Sequence, residues 1–298
     1  MISPKSLKQN DTVAIVSTAR KISLEDIRSA IDWLKIGKLK VKIGKTIGLD
    51  DNQFAGSDRE RTKDFQNMLD DDEVKAIWCA RGGYGTIRII DALDFSKFKK
   101  KPKWIVGYSD VTVLHNHVNN LGYETLHATM PINVAKNSSE ALDTLKKVLF
   151  GNRLEYAMHP NKFNRSGDAR GELFGGNLSI LYSLLGSETS LNTRDKILFI
   201  EDLDEYLYHV DRMMQNLKRN GYFENLKGLI VGSMSDMNDN TIPFGKTAEQ
   251  IVFDLCKDYD FPICFNFPAG HINDNRALIM GSNVELKVNN EMCKLRFL

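Results

Sequence analysis

The chain has 298 residues, 42% hydrophobic and 27% charged, a composition that suits an ordinary globular protein of about two domains. Lys plus Arg number 40 against 39 Asp plus Glu, so no overall field draws it toward nucleic acid or a membrane surface. No apolar run reaches the roughly 18 residues of a membrane span, the start MISPKSLKQND lacks the apolar stretch of a secretion signal, and Cys79, Cys256, Cys264 and Cys293 form no C-x-x-C pair. The expectation is a cytoplasmic protein with reduced thiols, without nucleic-acid or membrane partners.

In chain order, residues 12–17 (TVAIVS) read as a short buried strand. A helix start follows at 23–28, with Ile27, Ile31 and Leu34 at helical spacing. Further strands are expected at 40–43, 74–79 and 104–106, with helices at 58–69 and 87–93. The lysine run 97–103 reads as a solvated loop ahead of a strand. Another helix runs from Asp110 toward Gly122, and one covers 138–150. Strands alternating with helices predict a parallel, flavodoxin-like sheet with helices on both faces and ligands beyond the carboxyl ends of its strands. Periodicity fades in the turn-rich stretch 154–171, giving an N-terminal α/β domain at 1–155, a linker at 156–170 and a smaller C-terminal α/β domain at 171–298. The second domain offers a helix after Asn177, a strand 197–200, a helix 209–220, a strand 229–233 and a helix 246–259. It closes on strand-like segments at 262–267, 277–280, 284–288 and 293–297, which suggest β-hairpins.

Residues 104–112 (WIVGYSDVT) run a buried strand into Ser109, with Asp110 opening the next helix. A serine at that turn is presented beside the helix's unpaired N–H groups, the logic of a nucleophile elbow. Val111 stands where the second glycine of G-x-S-x-G would be, and on this segment alone a plain helix cap at Ser109 or Asp110 is the better account. Residues 80–86 (ARGGYGT) also follow an apolar strand. Their three glycines permit positive φ and close approach of backbone N–H donors to a ligand; a tight turn is the plain alternative. Neither a dinucleotide nor a P-loop pattern is matched.

Six histidines are candidates for a base. His115 and His117 are two apart on a helix and face different ways. His127 lies in a strand-like stretch, His159 in the expected linker, and His209 within a helix. His271 follows a strand on the Pro/Gly turn FPAGHIN, where function and simple turn structure are balanced. Glu201 ends the apolar strand ILFIE, followed by Asp202, Asp204 and Glu205. An acid at that edge is suggestive of function, while four clustered acids also fit a solvated loop or a hard-cation site. In GGNL, Asn177 reads as a helix cap.

Together these segments resemble the LD-carboxypeptidase (muramoyltetrapeptide carboxypeptidase) family of serine peptidases almost end to end. The likeness runs through KQNDTVAIV at 8–16, FAGSD with Arg59 and Arg61, VKAIWCARGGYG at 74–85, GYSDVT at 107–112, GGNL at 175–178, FIED at 199–202 and Gly270-His271. The resemblance implies a Ser109–Glu201–His271 triad, with backbone N–H groups of Asp110 and of Gly82 or Gly83 as the oxyanion hole. It also implies a triad assembled from both domains, a homodimer, and neither metal nor cofactor. The implied reaction releases terminal D-alanine from murein tetrapeptides or their muramoyl-linked forms, as in peptidoglycan recycling. The substrate's carboxylate favours a guanidinium; Arg81 is a candidate, with Tyr84 beside it as a further substrate contact, although Arg81 also suits a loop-supporting role. STAR at 17–20 and the missing proline in ALIMG at 277–281 depart from the family pattern and bear on substrate detail. The rivals are a microcin C-resistance peptidase acting on a peptidyl-nucleotide, a non-catalytic ligand-binding protein on the same plan, and an α/β-hydrolase esterase, which the glycine loop does not fit.

Overall fold

The computed structural model describes residues 1–298, which form two compact units: Met1–Asn152 with Asn273–Ile279, and Arg153–Ile272 with Met280–Leu298. In the first, β1 (Thr12–Val16), α1 (Arg28–Ile36), β2 (Lys40–Ile43), α2 (Asp58–Asp70) and β3 (Val74–Cys79) are followed by α3 (Ser96–Lys100), β4 (Trp104–Gly107), α4 (Thr112–Asn120), β5 (Thr125–His127) and α5 (Ser139–Leu149). The sheet order is β2-β1-β3-β4-β5, all parallel, the flavodoxin-like arrangement expected, and a short strand at Leu278–Met280 extends it beyond β5. The apolar runs of β1, β3 and β4 are nearly all buried because helices cover both faces. KVKI in β2 is largely exposed, its lysines blunting the open edge. A capping box starts α2, where Ser57 and Glu60 satisfy each other's backbone N–H groups.

Two local expectations are corrected. Residues 87–93 form 3₁₀ turns at Thr86–Arg88 and Ile90–Ala92 rather than an α-helix, since β-branched Ile87, Ile89 and Ile90 crowd a continuous helical turn. The lysine run begins as α3, because the Asp94 carboxylate accepts from the Ser96 N–H at 2.8 Å and starts a helix whose Phe98 is buried.

The second unit contains β6 (Glu155–Met158), β7 (Gly167–Asn177), α6 (Leu178–Ser183), β8 (Ile197–Leu203), α7 (Leu207–Arg219), β9 (Gly228–Ser235), α8 (Ala248–Cys256) and β10 (Ile263–Cys264). After β11 (Leu278–Met280, the strand already placed beside β5) come β12 (Asn283–Val288) and β13 (Cys293–Phe297). Its sheet runs β10-β9-β8-β7-β12-β13-β6, parallel from β10 to β7 and antiparallel from β7 to β6. β12 and β13 supply the terminal hairpin. The stretch 156–170, which reads as a connection, carries most of β6 and the first residues of β7. Apolar side chains of α6, α7 and α8, among them Leu181, Met213, Leu217 and Val252, pack with Leu198 and Val231 of the parallel strands. No helix is long and apolar enough to cross a membrane.

Gly175 pairs with Phe199 in this sheet, with φ +128°, and a Cβ on it would lie 1.9 Å from the Phe199 carbonyl oxygen. Backbone cannot yield as a side chain can. Gly175→Ala is therefore expected to destabilise the protein by about 3 kcal/mol or more, read as a lower urea midpoint.

Candidate active site

β4 delivers Ser109 into a strained turn. Its φ is +64°, in the left-handed region that a serine rarely occupies, and the 3₁₀ turn Ser109–Val111 leads into α4. Gly107, two residues earlier, makes the turn possible: a Cβ there would stand 2.9 and 3.2 Å from the two γ-carbons of Val111. The glycine before the serine thus makes room for a valine after it, which explains how the turn forms without a second glycine. His115 steadies the entry, its Nε2–H donating to the Gly107 carbonyl at 2.9 Å. Burial, only partly opposed by that bond, brings the His115 pKa down to about 4, so the ring is neutral and structural.

The glycine loop lies against this turn. A Cβ on Gly82 would meet Ser109 Oγ at 3.1 Å, Ser109 Cβ at 3.0 Å and the Asp110 nitrogen at 3.4 Å, so backbone alone fits over the hydroxyl. Gly83 and Gly85 have φ of +113° and +147°. Three interactions fix the loop. The fully buried Arg61 donates through Nη1 to the carbonyls of Thr18 (2.6 Å) and Gly85 (2.9 Å), and pairs with Asp58. The Thr18 and Thr86 hydroxyls are 2.8 Å apart. The Asp110 carboxylate accepts from the Thr86 N–H at 2.8 Å, tying the loop to the residue after the serine. Burial raises the Asp110 pKa against the opposing pull of the Thr86 hydrogen bonds and the Arg61 charge.

Arg81 and Tyr84 flank the loop. Arg81 Nη1 donates to the Lys21 carbonyl at 3.1 Å, a bond that supports the loop as anticipated. Tyr84 is 44% exposed, with its ring 6.1 Å from that of Phe54.

In the second unit, Glu201 ends the apolar part of β8 with its side chain wholly buried, and its Oε2 accepts from His271 Nδ1 at 2.7 Å. That bond puts a proton on Nδ1 and the lone pair of a neutral ring on Nε2. The approach depends on Gly270, at φ +114°, where a Cβ would stand 2.5 Å from Ser233 Oγ and 2.7 Å from Glu201 Oε2. Ser233 N–H donates to the Ala269 carbonyl at 2.9 Å and the Ser235 hydroxyl to the His271 carbonyl at 3.1 Å, holding the turn on β9. Burial pulls the His271 pKa down; the charge and hydrogen bond of Glu201, with the charge of Asp202, outweigh it, and the net shift is upward.

Asp202 is a residue whose part in the site the sequence did not disclose. β8 is an interior strand buried from Ile197 through Asp202, so both consecutive acids are buried, and the β8–β9 register shifts between Ile200 and Asp202. Asp202 accepts from Asn177 Nδ2 (2.9 Å), the Leu203 N–H (2.9 Å) and the Ser179 N–H (2.8 Å). Burial, and next the charge of Glu201, pushes its pKa up to about 7. Asn177 caps α6 through the Ile180 N–H, as its sequence context suggested. The remaining acids have separate partners: Asp204 accepts from Asn238 and Glu205 from His209.

Ser109, Asp110, Gly82, Gly83, Arg81 and Tyr84 thus belong to the first unit, and Glu201 and His271 to the second. Of the other histidines, His117 lies tilted against Phe95 with ring centres 4.8 Å apart, His127 is buried beside the Tyr108 ring, and His159 is exposed.

Residues 13–128 match the LD-carboxypeptidase N-terminal domain, and residues 170–286 the LD-carboxypeptidase C-terminal domain. A probable murein peptide carboxypeptidase of Bacillus subtilis (strain 168) is 34% identical, over 95% of this chain and 91% of its own. The murein tetrapeptide carboxypeptidase of Pseudomonas aeruginosa is 24% identical, over 93% of each chain. Among solved structures, muramoyltetrapeptide carboxypeptidase from Oxalobacter formigenes has a TM-score of 0.86 and 26% identity, covering 96% of this chain and 98% of that one. Microcin C7 self immunity protein MccF has a TM-score of 0.88 at 21% identity, covering 98% of each, a likeness of fold.

Proposed function

The chain belongs to the LD-carboxypeptidase family, and on that footing we propose that this peptidase is a serine carboxypeptidase releasing terminal D-alanine from murein tetrapeptides in peptidoglycan recycling. The observation that carries the reading is the Ser109 hydroxyl, held in a left-handed turn with only glycine backbone set over it.

In this mechanism Ser109 Oγ attacks the carbonyl carbon of the L-centred diamino acid while His271 Nε2 takes its proton. Glu201 holds the Nδ1–H tautomer and stabilises the imidazolium. The tetrahedral oxyanion accepts hydrogen bonds from the Asp110 N–H and from Gly82 or Gly83, each such donor contributing about 3 kcal/mol. The imidazolium returns the proton to the departing D-alanine nitrogen, and water then hydrolyses the acyl-enzyme by the same steps in reverse. The chemistry requires Ser109 and His271 to meet in the reactive state. We take the working form to be a cytoplasmic homodimer; the four buried thiols suit a reducing compartment.

The test incubates purified protein with murein tetrapeptide and with the diastereomer that has a D-centre before the scissile bond. Release of D-alanine from the first alone is expected. Failure to release it, with hydrolysis of an aminoacyl sulfamoyl nucleoside instead, would transfer the assignment to the toxin-hydrolysing alternative.

A further inference from the structure

The loops leaving β1, β3 and β4 lie side by side, since these strands are consecutive neighbours in a parallel sheet with a spacing of about 5 Å. The β4 loop carries Ser109 and the β3 loop carries the glycines. The β1 loop carries Arg20, in the STAR turn that departs from the family pattern. A Cβ on Gly83 would stand 2.5 Å from Arg20 Cδ and 2.7 Å from its Nε, so the Arg20 side chain lies across Gly83 as Gly82 lies across Ser109 Oγ. With neighbouring Cα atoms about 3.8 Å apart, the guanidinium is at most about 14 Å from the hydroxyl.

A peptide terminus, which needs about 10 Å, fits within that limit. The reacting carbonyl stands about 3 Å from the nucleophile, the terminal carboxylate about 4 Å further on, and a guanidinium reaches a carboxylate at about 3 Å. The β1 loop is rigid enough to serve. Ser17 Oγ donates to the Arg20 carbonyl at 2.7 Å, the Lys21 N–H to the Gln53 carbonyl at 2.9 Å, and the Ala55 N–H to the Ala19 carbonyl at 3.0 Å.

Two cations meet here, the Arg81 guanidinium resting on the carbonyl of Lys21, the residue after Arg20. Arg81 is half-buried, and burial followed by the like charge of Arg20 lowers its pKa. Asp26 is the acid whose charge reaches Arg81; its carboxylate accepts the N–H and hydroxyl of Ser23 at 2.9 and 2.8 Å, stays anionic and offsets part of the positive charge without forming an ion pair. Asp50 is taken by Lys21 at 2.7 Å. Two guanidinium groups held together beside a nucleophile, neither in an ion pair with a carboxylate, suit recognition of an anionic group.

We propose that Arg20 and Arg81 together bind the terminal α-carboxylate of the peptide substrate, and that Arg20 makes the enzyme require that carboxylate to be free. The inference rests on the peptidase reading of Ser109 and deepens it: the sequence offered Arg81 alone, and the structure adds a second guanidinium from a different strand. Arg20 is a specificity-determining residue and takes no part in proton transfer.

The experiment measures kcat/KM for wild type, Arg20→Gln and Arg20→Lys on a tetrapeptide with a free terminal carboxylate and on the same peptide amidated there. Calorimetry follows binding of both peptides in a Ser109→Ala background, with and without Arg20→Gln. Arg20→Gln should lose about 10- to 100-fold on the acid, chiefly in KM, and less than about threefold on the amide. Arg20→Lys should recover part of the loss, because an ammonium restores charge without the bidentate fork. Equal losses on both peptides, or none on either, overturn the proposal while leaving the peptidase reading intact. If wild type cleaves neither peptide, that reading falls and binding decides the proposal. An acid preference that disappears with Arg20→Gln supports the anion site; the absence of any acid preference removes it.

Discussion

Ser109→Ala is expected to lower kcat/KM for D-alanine release by about 10⁴- to 10⁶-fold, because residual catalysis would then rest on the oxyanion donors and substrate binding alone. No nearby group is suited to replace the hydroxyl. Cys79, at the end of the adjacent strand, is buried, and burial together with the Asp110 charge pushes its pKa to about 12, leaving an inert thiol. The variant should keep its fold, since neither the Asp110–Thr86 bond nor the Arg61 contacts involve the serine side chain. Retention of activity within tenfold would remove Ser109 from the mechanism.

The same position carries an independent reading of strain. At φ +64° alanine still pays for its Cβ, whereas glycine does not. Ser109→Gly is therefore expected to be as inactive as Ser109→Ala yet more stable than it by about 1 kcal/mol in urea unfolding. A serine held in a conformation that glycine tolerates better is one whose chemistry compensates for the strain.

Much of this architecture was legible in the sequence because its signals are local. TVAIV, VKAIWC and WIVG are apolar on both faces, the mark of strands covered by helices on each side, and they gave the strand positions of the first sheet. Ser109 stood out because a strand, a glycine and a helix start converge on it. Glu201 and His271 are 70 positions apart, so composition and spacing offered two separate curiosities; it was the family resemblance that joined them, and the 2.7 Å contact gives that pairing a geometry. What stayed hidden depends on non-local pairing. Gly175 and Gly176 break the alternation of β7, and the reason for Gly175 is visible only once Phe199 lies opposite it. Leu278–Met280 reads like its hairpin neighbours but extends the first sheet beside β5. The burial of Asp202 beside Glu201 in an interior strand, and the course of Arg20 across Gly83, likewise come from neighbouring strands that no local window contains.

Glu201→Gln is the second large effect, an expected loss of about 10³- to 10⁴-fold in kcat/KM with a displaced pH profile. The sign follows from the wild-type balance. Burial lowers the His271 pKa, Glu201 and then Asp202 raise it, and the outcome lies above the ordinary 6.5. A general base must be neutral, so wild-type kcat/KM should rise with pH through an apparent midpoint above 6.5. Removing the Glu201 charge leaves burial opposed chiefly by Asp202, and the rising limb should move to lower pH as its plateau falls. Folding stability carries the same signature: a raised histidine pKa contributes stability that is present below the unfolded value and lost as pH rises through the folded one, and this contribution should vanish in the variant. Burial and the Glu201 charge push the Asp202 pKa up to about 7, so the wild-type midpoint belongs to His271 and Asp202 together rather than to one ring. Profiles of kcat/KM from pH 5 to 9 for both proteins make the comparison. An unchanged midpoint in Glu201→Gln would mean that the carboxylate does not set the protonation of the base, and its role would shrink to holding the ring in place.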